Sequence, residues 1–258
     1  MIRFILSLLV SVGSSAVADR AFASKSEPIV TNEALFHNSP AWLKRNRAEK
    51  VIRKIQRELE WSTRRINVYF YTSEEAFKNA QSLGSLPRAV TVKSKSEQVI
   101  HLSPRVNDKN FDQVLGHEMV HIIFFQKYSG AIPQWLEEGF ANHLAGYKSV
   151  DYKWLKSQPF PNDIASLTHP FKQSQVSIKY HYMASQALVH MLDTKCDLEN
   201  LLRLSVQRKM EDYINTFCEI PNINLAFRDW VNKKSGHSDS KKKKYWWNKK
   251  DEGKASSS

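Results

Sequence analysis

Apolar residues recur at roughly helical spacing from Trp42 and Leu43 through Val51, Ile52 and Ile55 to Leu59, predicting a helix out to about Trp61. Ser39 as cap and Pro40 in the first turn place its start. "INVYFY" (66–71) is β-branched and aromatic and predicts a strand. Thr72 or Ser73 then caps a short helix holding Glu74 to Phe77. After the breakers Gly84 and Pro87, "AVTV" (89–92) and "QVIHL" (98–102) predict two strands joined by a turn over 93–96. Helices are expected from about Asn110 to Lys127, ended by Ser129-Gly130, and from about Pro133 to Leu144. Pro159, Pro161 and Pro170 exclude long helices until about Ser177. Helices then follow over 180–192, 197–216 and 223–232.

The pattern predicts an α+β fold, with a small mixed sheet packed on the 110–127 helix and a mostly helical C-terminal half. One domain is expected over 39–232, sheet-containing over 39–130 and helical over 131–232. Residues 19–38 carry little periodicity and read as a leader segment.

The chain ends read differently. Arg3, the apolar run Phe4–Val12 and Ala16-Val17-Ala18 have the layout of a signal peptide over 1–18. Ala21-Phe22-Ala23 offers a second cleavage position. An uncleaved anchor is the alternative, but the apolar run falls short of the roughly 20 residues a spanning helix needs. An exported chain, periplasmic or secreted, is therefore expected. Export makes a disulfide between the two cysteines, Cys196 and Cys218, the expected pairing. Two separate buried thiols are the alternative.

Net charge is +12, and residues 233–258 hold nine lysines against three acidic residues. This segment reads as a disordered basic tail. Its "KKKKYWWNKK" (241–250) combines lysines with interface-seeking aromatics. For an exported chain that suits an anionic membrane surface or an acidic envelope polymer better than nucleic acid. A purely solubilising tail is the bland alternative.

The candidate chemistry lies in "LGHEMVHIIFF" (115–125). Residues i and i+4 share a helix face, so His117 and His121 can present imidazole nitrogens to one ion. Glu118 projects beside that face, within reach of a water there. The helix is apolar on most sides, and two buried histidines with a glutamate need partners. Histidines satisfied within an ordinary core are the alternative. A catalytic zinc needs a third protein ligand, and "PQWLEEGFANHLAG" (133–146) offers Glu138, Glu137 or His143.

H-E-x-x-H followed by P-x-W-L-x-E-G-x-A resembles the gluzincin zinc metallopeptidases. The likeness is strongest to the peptidase MA-like group, related to thermolysin and to zinc aminopeptidases. It is tight from Gly116 to Ala141 and looser from Ile66 to Leu192. It implies Zn²⁺ held by His117, His121 and Glu138, the glutamate directly before the glycine. Glu118 is then the general base that takes a proton from water and passes it to the leaving amine. The resemblance also implies an oxyanion donor from a later helix, for which Tyr182 fits better than Tyr180 or His181. It further suggests "QVIHL" as an edge strand over the cleft, able to pair with an extended substrate. Two departures stand out: only sixteen residues separate His121 from Glu138, and the G-x-M-E-N element of the aminopeptidases is missing. The expected activity is hydrolysis of peptide or protein substrates. The alternative is a catalytically silent zincin-fold protein that binds the envelope through its tail.

Overall fold

The structure is a computed structural model that describes residues 27–81, 87–94, 97–147, 149–164, 175–207 and 209–236. The expected signal peptide (1–18), the 241–250 segment of the expected tail and residues 19–26 of the expected leader lie outside them. No described helix is long and apolar enough to cross a membrane.

The fold is α+β. Five strands, β1 (Ile29–Val30), β2 (Ala34–His37), β3 (Ile66–Phe70), β4 (Ala89–Lys93) and β5 (Gln98–Leu102), form one sheet in the order β1-β2-β3-β5-β4. β2, β3 and β5 run parallel, while β1 and β4 are antiparallel to their neighbours. Between and after the strands lie α1 (Arg45–Glu58), α2 (Glu74–Ala80), α3 (Phe111–Tyr128), α4 (Gln134–Leu144), α5 (Tyr152–Lys156), α6 (Gln175–Leu192), α7 (Leu198–Val206), α8 (Met210–Thr216) and α9 (Ile223–Ser235).

Alternation along the strands builds the core. Ala34 and Phe36 of β2, Ile66, Val68 and Phe70 of β3, and Ile100 and Leu102 of β5 are all buried. They join one cluster with Val51, Ile52 and Ile55 of α1 and the apolar body of α3. α1 presents only that stripe inward and covers its outer face with Arg and Lys. α3 is buried along most of its length, as its sequence requires. Ser129 (φ 50°) and Gly130 (φ 78°) end it in the left-handed region.

Several expectations need correction. The part of the leader that is described, 27–38, is not a leader: it carries β1 and β2, and Ala34 and Phe36 are fully buried. β1 has only two residues, and β2 alternates in burial over just four, too little for its sequence to stand out from the flanking chain. The first helix begins at Arg45 rather than Ser39; the Ser39 hydroxyl donates to Phe36 O instead of capping it. Trp42 belongs to the preceding turn, where its ring meets Phe70 and Phe111 edge-on. The domain therefore begins before 39, and α9 carries it to Ser235, past the expected boundary at 232.

"QVIHL" is not an edge strand. β5 lies between β3 and β4, and β4 is the edge. Strand order depends on which neighbour a crossover reaches, and a short apolar run does not encode it. α6 starts earlier than position 180, and the 197–216 stretch divides into α7 and α8. Cys196 and Cys218 form a disulfide that closes the loop carrying those two helices.

Candidate metal centre

α3 and α4 meet so that three ligand atoms converge. His117 and His121, one turn apart on α3, place their Nε2 atoms 3.1 Å from each other. From α4, Glu138 brings Oε2 to 3.4 Å from His117 Nε2 and Oε1 to 3.7 Å from His121 Nε2. A tetrahedral zinc with bonds near 2.0–2.1 Å would separate its ligand atoms by about 3.3 Å. The observed distances bracket that value. Glu138 Oε2 is also buried with no hydrogen-bond partner among the described residues, a costly state that a cation removes. The residues thus form a buried group able to hold a metal ion.

The electrostatics agree. Burial acts to lower the His121 pKa, but the Glu138, Glu137 and Glu118 carboxylates outweigh it and raise it to about 9. Burial acts to raise the Glu138 pKa, but His121, His117 and His181 bring it down to about 2. Carboxylates are concentrated here beyond what two neutral imidazoles balance, so the group favours positive charge.

The other two ligand candidates have different places. Glu137 accepts from Nδ1 of His121 at 2.6 Å, leaving Nε2 to face the cluster. Its Oε1 also takes Lys93 Nζ at 2.6 Å. His143 lies away from the cluster, its ring 5.0 Å from that of His190. Burial, then the charges of His190 and Lys54, lowers its pKa from 6.5 to about 2. The unfolded chain gains this proton below about pH 6.5 while the folded chain does not. The stability due to neutral His143 is thus intact above pH 6.5 and is lost as pH falls towards 2, with about 2 kcal/mol gone by pH 5. Urea unfolding at pH 7 and pH 5 should show a shallower acid slope for His143→Gln than for the wild type. Equal slopes would exclude this assignment.

Glu118 lies beside the cluster, and its Oε2 accepts from the Thr91 hydroxyl. The edge strand supplies that hydroxyl by alternation. In "AVTVK" the side chains of Ala89, Thr91 and Lys93 share one face, and Thr91 and Lys93 there engage Glu118 and Glu137. Nothing in the local sequence of β4 marked either residue.

A cleft of about 710 Å³ opens over the cluster, walled by β4 on one side and α6 on the other. Tyr182 lines it, its ring 6.1 Å from that of His117. Tyr147, missed in the sequence, approaches closer at 5.6 Å. Gly146 (φ 72°) reverses the chain after α4, and the Tyr147 amide donates back to Asn142 O. A glycine stop followed by an aromatic residue was its only sequence signal. Burial and the nearby carboxylates raise the pKa of both phenols, so both remain donors at neutral pH. Tyr180 packs against the core, and His181 is buried close enough to Glu138 to influence its charge. Searches against known family models and curated proteins find no match to this chain.

Proposed function

We propose that this chain is a zinc-dependent peptidase of gluzincin type, with His117, His121 and Glu138 as ligands. The observation that carries the reading is the convergence of two Nε2 atoms and one carboxylate at the floor of a cleft, with Glu118 held beside them. The N, N, O donor set with one side open to a cleft suits a catalytic zinc better than a closed structural one. A zinc ion held there would supply Lewis acidity, which acidifies water and polarises a carbonyl.

The chain's own residues supply the rest. Glu137 fixes the ring of His121, and Lys93 fixes Glu137. Glu118, oriented by Thr91, takes a proton from water at its carboxylate and returns it to the departing amine. Tyr182 and Tyr147 are the neutral donors placed to stabilise negative charge developing on the substrate oxygen. The exposed edge of β4 offers backbone groups to an extended peptide, the role first expected of "QVIHL". The disulfide fits the exported state that residues 1–18 suggest.

The full mature chain should contain one zinc per molecule and cleave casein or mixed peptides. A chelator should abolish cleavage, and added Zn²⁺ should restore it. Zinc bound without cleavage across broad substrates would favour the silent binding protein. A folded chain that takes up no metal would sink both readings.

A further inference from the structure

The charges around the cleft are unequal in a way the peptidase chemistry does not use. Its carboxylates, Glu118, Glu137 and Glu138, all belong to the floor. Two of its cations are already engaged: Lys93 pairs with Glu137 at 2.6 Å, and Arg105 pairs with Glu74 at 3.0 Å. Arg88 and Lys179 remain. Arg88 stands at the start of the edge strand, is exposed, and has no carboxylate partner among the described residues. Lys179, exposed on α6, lies 3.8 Å over the Trp154 ring, a contact that localises the ammonium without neutralising it. Each wall of the cleft thus includes one of these two cations, Arg88 beside β4 and Lys179 on α6.

A dication at the floor would be balanced by Glu138 and Glu118, so Arg88 and Lys179 leave the substrate path net positive. Low-dielectric walls focus such a field on whatever lies between them. We infer that the cleft selects acidic peptides, with Arg88 and Lys179 receiving Asp or Glu side chains that flank the bond to be cut. A peptide laid along β4 runs between the two cations, and its carboxylates find charge-assisted donors on both sides. A lysine-rich peptide would instead bring like charges together. This inference rests on the peptidase reading, and it names the substrate class for the same site.

The test measures binding separately from cleavage. Labelled peptides, identical except for Glu, Gln or Lys beside a central apolar pair, are titrated into full-length Glu118→Gln protein and followed by anisotropy. The Glu peptide should bind about tenfold more tightly than the Gln peptide at low salt, with the gap closing to about twofold near 0.5 M salt. Reversing both charges, Arg88→Glu with Lys179→Glu, should invert the order in favour of the Lys peptide. The same reversals at Lys109 and Lys209, exposed lysines outside the cleft, should not invert it. Equal binding of Glu and Gln peptides, a preference that survives the cleft reversal, or inversion by the control pair would each overturn the inference. Wild-type cleavage of Glu, Gln and Lys peptides at equal rates would also overturn it while leaving the peptidase reading intact. Charge-selective binding with no cleavage by the wild type would sink the peptidase reading, and with it the acidic residues' place beside a bond to be cut, while leaving only the cleft's preference for acidic peptides.

Discussion

Glu118→Gln is expected to lower peptide cleavage by about a thousandfold while one zinc per chain stays bound. Gln keeps the length and shape of Glu and retains an oxygen that can accept from Thr91, so the side chain should stay where it is. What it loses is the ability to hold a proton between water and the leaving amine. Glu118 is not one of the three converging ligands, which separates its loss from loss of the metal. Glu138→Gln supplies the contrast, because it removes the only carboxylate from that group and should cost metal affinity first. Metal content and kcat are measured on the same preparations. Glu118→Gln with full activity would remove the general base from the mechanism. Glu118→Gln without zinc would instead make Glu118 part of the metal group.

Part of this site was legible because three of its residues share one short helical period. His117, Glu118 and His121 were legible in sequence since i and i+4 positions meet on a helix whatever the rest of the chain does. Glu138 was one of three candidates on the next helix, with Glu137 and His143, and only the resemblance singled it out as the glutamate before the glycine. The residues that orient these groups were not legible. Thr91 and Lys93 come from an edge strand whose position depends on β5 pairing with β3 instead of lying at the rim. Tyr147 depends on a glycine-driven reversal after α4. β1 and β2 were invisible because their identity comes from pairing, with Leu35 opposite Asn67 and Phe36 opposite Val68, and not from any local period. Long-range register therefore fixes much of what surrounds the candidate metal group, while local period fixes its two histidines.

Gly139 joins the two kinds of information. It follows Glu138, and its lack of a side chain lets α4 lie directly on the backbone of α6. A Cβ there would stand 2.4 Å from Ser185 O and 2.5 Å from Val189 Cγ2. Neither a backbone carbonyl nor a fully buried valine can yield that far without moving a helix. Gly139→Ala should therefore cost about 3 kcal/mol of stability, despite alanine's better helix propensity. Because Glu138 is the adjacent residue, moving α4 away from α6 should also pull its carboxylate off the histidines and weaken zinc binding by more than tenfold. Gly116→Ala on α3 is the control. Its Cβ would meet Ala145 Cα at an ordinary 3.5 Å, so the substitution should stabilise the protein by up to about 1 kcal/mol. Denaturant unfolding in chelator keeps metal linkage out of both values, and zinc titration then reads the ligand geometry. Equal stability of the two variants would mean that α4 and α6 can separate freely, and that Glu138 is not held in place by their contact.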